Sequence, residues 1–218
     1  MKKALPPGLK LVITVRFLAS CDKYPSLMYS FRVTGNTISL IIPEVCQAIV
    51  EEYKDEVIIY PTTPDAWTPT GEVFGNRWNV PHAVGALDGK HVGTGKPGKS
   101  DSLYHNYKGF FSIFNELKVC LEDGSIGFPE TSPIPQDDEP MPYVILGDDA
   151  FGIRTFLVKP YGHMNLQRDE GFCNYRISRG RRVVDNAFGI LAQRWQILLT
   201  TMQPWPSIAQ DIVSASTT

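Results

Sequence analysis

Tyr143-Val144-Ile145-Leu146-Gly147-Asp148-Asp149 is the stretch whose reading decides the fold. A short apolar run, rich in β-branched and aromatic side chains and cut off by Gly and Asp, is the pattern of a strand buried on both faces. Upstream, Ala83-Val84-Gly85-Ala86-Leu87 ends in the same way, at Asp88-Gly89. Downstream, Val184, Ala187, Phe188, Leu191 and Trp195 recur at helical spacing and predict a helix from Ser178 to Leu199. Between the two apolar runs, Tyr107 to Ser112 leads into an alternating segment, Ile113–Leu121, which predicts another strand. Glu122–Pro142 carries Pro129, Pro133, Pro135, Pro140 and Pro142 and reads as a loop. Buried strands followed by a helix make a mixed α/β domain.

Ahead of this domain the pattern is helical. Leu9, Leu11, Val12, Val15, Leu18 and Ala19 predict one helix over 9–22, and Ile38 to Tyr53 predicts a second, with Gly35-Asn36 as the turn before it. Two helices around a Gly turn fit a helix-turn-helix and equally a small bundle that only packs. Residues 54–82 hold Pro61, Pro64, Pro81, Trp67 and Trp78 without clear periodicity, and read as a connector, with one helical turn open over Phe74–Trp78. The expected division is therefore a helical region over 1–82, an α/β domain over 83–203 and a frayed polar tail over 204–218.

Composition narrows the function classes. With 43% hydrophobic and 20% charged residues the chain can bury a core. A net charge of −2 excludes a protein that coats nucleic acid through its overall charge, so any contact with DNA must use local basic patches. Cys21, Cys46, Cys120 and Cys173 form no metal-binding or disulfide pattern and are expected as reduced thiols in an intracellular protein. Lys10 and Arg16 interrupt the first apolar run, which argues against a secretory signal. No window approaches the ~20 apolar residues of a membrane span.

Three carboxylates sit where chemistry would use them. Asp88 and Asp148 each close an apolar strand, and Asp185 lies beside the apolar stripe of the long helix. In sheets of this kind, functional side chains gather at the carboxyl ends of strands. Three acids brought together repel one another unless a cation joins them, and Mg²⁺ or Mn²⁺ prefers carboxylate oxygen. Asp-Gly is also an ordinary turn dipeptide, so spacing alone leaves a metal site and structural turns both open.

Longer blocks speak more specifically. Trp78-Asn79-Val80-Pro81-His82 with Gly85-Ala86-Leu87-Asp88-Gly89-Lys90-His91-Val92 is the first; Asn106 to Ser112 is the second. Tyr143 to Phe151 with Lys159-Pro160-Tyr161 is the third, and Phe172 to Gly189, ending Val184-Asp185-Asn186-Ala187-Phe188-Gly189, is the fourth. In this order the blocks resemble Harbinger-type (PIF) transposases and their nuclease-like relatives of the DDE superfamily, over nearly the whole chain. The resemblance implies a ribonuclease-H-like domain, a divalent cation (Mg²⁺ or Mn²⁺) and cleavage of DNA phosphodiester bonds. Its metal-holding, catalytic acids fall on Asp88, Asp148 and Asp185. It further implies a nuclear protein, with the cytoplasm as the second compartment, that meets DNA and a DNA-binding partner protein.

Two departures bear on activity. The family carries Glu where this chain has Asp185, one methylene shorter at a cation that tolerates little geometric error. In relatives the strand matching Ile113–Leu121 is followed by a further strand, a turn with another Asp and a helix; here Glu122 to Gly127 runs directly into the Pro-rich loop, which implies an incomplete ribonuclease-H-like domain. A catalytically dead relative acting as a DNA- or protein-binding module is the alternative. Arg176, Arg179, Arg181 and Arg182 ahead of Asp185, with Lys90 and Lys108 after Asp88, are the candidate phosphate contacts, and a solvated helix start and a flexible loop are the other reading. His91 and His105 are candidates for proton transfer or for plain structural roles; Trp67, Trp78 and Trp195 are expected in packing.

Overall fold

A computed structural model of the chain describes residues 4–57, 59–88, 125–134, 137–148, 154–200 and 206–218. They fall into two compact units, one built from residues up to Ile59 and from Gly189 onward, the other from Tyr60 to Phe188.

The first unit is helical: α1 (Pro7–Ser20), α2 (Tyr24–Phe31), α3 (Gly35–Val57), a 3₁₀ turn (Gln196–Leu199) and α6 (Pro206–Thr217). Its core joins Ile13, Phe17, Leu18, Leu27, Ile38, Ile42, Cys46, Ile212 and Val213. The buried face of α1 is not the expected one. Ile13, Thr14, Phe17 and Leu18 are inside, at i, i+1, i+4 and i+5, while Leu11, Val12 and Val15 are exposed; the buried stripe runs through Ile13 and Phe17, which the expected face left out. The second helical region is two helices at 99° around Arg32-Val33-Thr34, with Arg32 left-handed at φ 53°. The helix cap is Thr34, whose carbonyl accepts the amides of Thr37 and Ile38. The angle is that of a helix-turn-helix. The exposed Glu51, Glu52, Asp55 and Glu56 of α3, however, carry the wrong sign for phosphate. Among the described residues no single helix is long and apolar enough to cross a membrane.

The expected frayed tail is a correction: Pro206–Thr217 is a helix. Ala209, Ile212, Val213 and Ser216 recur at helical spacing and are buried. Residues 54–82 are a second correction. They contain α4 (Pro64–Trp78), which starts with Pro at its first position and ends at left-handed Asn79. Trp67, Gly71 and Phe74 form its buried stripe.

Among the described residues the second unit holds α4, five short strands and the long helix α5 (Arg168–Arg194) as far as Phe188. β1 (Ala83–Ala86), β4 (Val144–Leu146) and β5 (Leu157–Val158) form a parallel sheet in the order β1-β4-β5. β2 (Ser132–Pro133) and β3 (Pro140–Met141) pair antiparallel inside what reads as a loop. The molecule is thus mixed α/β, with a parallel sheet. α5 begins ten residues before the expected start. Glu170 accepts the backbone N–H of Gln167 at 2.7 Å, which closes a cap that Gly171 and Gly180 obscure in the sequence. The buried positions of α5 in this unit include Ile177 and Gly180; Ala187, expected inside, is exposed.

Candidate functional site

Register places the two strand-end acids together. Ala86 is paired with Leu146 on neighbouring parallel strands, and the Leu87 N–H donates to the Leu146 carbonyl at 2.7 Å. Asp88 and Asp148 each lie two residues further on, so they emerge at the same end of the sheet. Strand alternation also fixes their side. Leu146 and Ala86 pack with Phe74 of α4 and Ile177 of α5, and residues two further along face the same way.

α5 can approach this close because Gly180 has no side chain. A Cβ there would lie 2.5 Å from the Leu146 Cδ1, and Leu146 is fully buried. The residue after it, Arg181, is thereby aimed at the strand ends. Its Nη2 is 3.4 Å from Asp88 Oδ1 and 3.8 Å from Asp148 Oδ2. These are Coulombic distances, longer than good hydrogen bonds. The three side chains are 19–29% exposed, so water screens them only in part. Arg181 Nε is buried and finds no hydrogen-bond partner among the described residues, a costly state that an incoming acceptor would relieve.

The other candidates distribute as follows. Asp185 is exposed, one turn beyond Arg181 on α5. Among the described residues no three His, Cys, Asp or Glu side chains are grouped to hold a metal ion. Arg176 and Arg182 are exposed, and the Arg179 guanidinium lies 5.6 Å from the Tyr175 ring centroid. Lys90, Lys108, His91 and His105 lie outside the described residues, as does Ile113–Leu121. Arg181, grouped with the phosphate contacts in the sequence, faces the two carboxylates instead. The signal for this was available: it directly follows the small residue of the Cys173, Ile177, Gly180 stripe, at the inner edge of the helix.

Other prominent residues are structural. His82, at φ 59°, stacks on Tyr143 with ring centroids 4.3 Å apart and lies 3.1 Å from the Met141 carbonyl, tying β3 to the sheet. Trp67 is buried and its indole N–H donates to the Ile126 carbonyl at 2.9 Å. Trp78 packs near Phe74, and Trp195 packs on the core of the first unit. Cys21, Cys46 and Cys173 are free; burial pushes the Cys46 thiol up to about 12, with Asp211 adding to the effect.

A divalent cation can be tested against this donor set. Asp88 and Asp148 against Arg181 leave a formal charge of −1; Asp185, exposed on the next turn of α5, is not grouped with them among the described residues. Two carboxylates with the remaining positions left to water and phosphate are an ordinary Mg²⁺ arrangement. The residues fit.

Comparison with known proteins gives a family. The model of the family described as DDE superfamily endonuclease matches residues 87–218, which include Asp88, Asp148, Arg181 and Asp185. The cattle (Bos taurus) and human (Homo sapiens) proteins named "Putative nuclease HARBI1" are each 24% identical over 213 residues, and the rat (Rattus norvegicus) protein of that name is 24% identical over 217. Each alignment covers 90% of this chain and 60% of the relative, so the chain spans about 60% of the length of the curated relatives it matches. No solved structure matches the chain.

Proposed function

Since the chain belongs to the DDE superfamily endonuclease family, we propose that it is a divalent-metal-dependent nuclease of transposase descent that hydrolyses DNA phosphodiester bonds. The observation that carries this reading is the register: two acids, each two residues past a paired rung of adjacent parallel strands, turned toward the same helix. The names of the relatives support it.

In this reading Asp88 and Asp148 hold Mg²⁺ or Mn²⁺, and Asp185 completes the set from α5. The cation supplies Lewis acidity toward water and phosphoryl oxygen. Arg181, 3.4 Å from Asp88 and 3.8 Å from Asp148, holds the two carboxylates turned inward by its charge. Arg176 and Arg182 hold the DNA backbone without reading sequence, a role the sequence also offers to Lys90 and Lys108. The sheet belongs to a ribonuclease-H-like domain, shortened after Leu121. DNA as substrate places the protein in the nucleus, beside a DNA-binding partner.

The test is a supercoiled-plasmid nicking assay with Mn²⁺ or Mg²⁺. The parent chain nicks, EDTA abolishes nicking, and Asp88→Asn or Asp148→Asn lowers the rate by at least about 100-fold, the upper range for groups that only support a metal ligand. Equal silence from parent and variants overturns catalysis and leaves a non-catalytic binding module.

A further inference from the structure

Helix α5 has a second surface, away from the acids. Arg168, Phe172, Tyr175 and Arg179 follow one another at i, i+4, i+7 and i+11, which sets them along one face. Ile177 and Gly180, buried against the sheet, mark the opposite face. Phe172 is 53% and Tyr175 58% exposed, unusual for two adjacent rings on one helix. Each ring carries its own arginine: the Arg168 guanidinium lies 5.6 Å from the Phe172 centroid, and Arg179 stands at the same distance from Tyr175. A cleft of about 390 Å³ opens between them, lined by Arg168, Gly171, Phe172 and Tyr175. At Gly171 a Cβ would meet nothing within 4 Å among the described residues, so they leave the cleft floor open.

What covers this face must complement both features. The rings offer flat apolar surface, one helical turn apart. The guanidinia at either end, with exposed Arg176 and Arg182 beside them, offer charge for an anion and forked donors that suit phosphate. An apolar partner would leave the arginines unmatched, and a simple acidic chain would leave the rings in water. A strand whose bases are unpaired supplies both, a π-face and a phosphate at each step.

We propose that Arg168, Phe172, Tyr175 and Arg179 form a stacking platform for single-stranded DNA, with Phe172 and Tyr175 under successive bases and the two arginines on the phosphates. This deepens the nuclease reading by naming the form of DNA handled, and it rests on that reading only for the choice of DNA. The test needs neither cleavage nor metal, so the two can fail separately.

Fluorescence anisotropy of a labelled oligothymidine, in EDTA at low ionic strength, measures binding directly. Phe172→Ala and Tyr175→Ala each weaken it by about tenfold, and together by about 100-fold. Phe172→Trp restores it. Gly171→Leu, which fills the cleft, weakens it by several-fold. Arg168→Gln and Arg179→Gln each lower the salt dependence by about one ion. All changed side chains are outside the core, and circular dichroism of each variant checks that the helix is retained. The parent prefers the single strand to a duplex of the same length. Binding that ignores both ring substitutions, a preference for duplex, equal displacement by polyglutamate, or tighter binding of oligouridine than of oligothymidine overturns the proposal.

Discussion

The two compact units reach stability by different means. The helical unit buries a broad aliphatic core in which Ile13, Ile38, Ile42 and Ile212 are fully enclosed, and its ion pairs, such as Lys10 with Glu44 at 2.6 Å, stay on the surface. Among the described residues the sheet unit has two small apolar clusters, and it depends on close approaches at Gly127, against the Thr62 backbone, and at Gly147 and Gly180, against the Leu157 and Leu146 side chains. A core made of area tolerates small changes, whereas one made of close approaches does not. The candidate site sits in the second kind, where a single glycine sets the distance of α5 from the strand ends.

One added methyl group separates the two units most sharply. Gly127 has φ +70°, and a Cβ there would lie 2.0 Å from the Thr62 carbonyl oxygen. Gly127→Ala combines left-handed strain with a backbone clash and should cost about 3 kcal/mol or more, read as a lower denaturation midpoint in urea. Gly189, in the helical unit, has nothing within 4 Å of the same methyl group among the described residues. Gly189→Ala should therefore stabilise by about 0.5–1 kcal/mol, from helix propensity alone. Equal signs for the two substitutions would remove the distinction.

A smaller effect sharpens it from the side of charge. Glu170 is held below the usual carboxylate range, chiefly by the Gln167 backbone N–H and then by His163. A lowered folded-state pKa means that its contribution is complete above the unfolded carboxylate value, near 4.3, and is lost as pH falls through the folded value. Faster amide exchange at Gln167 on acidification below about pH 4, with no change in the core amides of α3, is the expected result. Exchange at Gln167 that does not depend on pH, beyond its intrinsic rate, would contradict it.

Legibility in the sequence followed the physics of each element. β1 and β4 were readable because a buried strand is a short apolar run with a hard stop, and Asp88 and Asp148 are those stops. Their adjacency was not readable, because pairing Ala86 with Leu146 is a long-range fact. α4 was hidden because Pro64 and Pro69 suggest a connector, although Pro64 occupies the one helical position where proline fits well. α6 was hidden by its small side chains, which bury well but give a weak pattern. The arginines before Asp185 were visible as a cluster, but their separation into an inward Arg181 and an outward Arg179 depends on which face Gly180 presses to the sheet.

Backbone pairing brings Asp88 and Asp148 to one end of the sheet, and the proposed nuclease needs them to hold one divalent cation. Titration calorimetry with Mn²⁺ tests it most directly. Stoichiometric binding by the parent chain, weakened at least about tenfold in Asp88→Asn and again in Asp148→Asn, is the predicted result. No uptake of Mn²⁺ by the parent, or uptake that both substitutions leave unchanged, would contradict it.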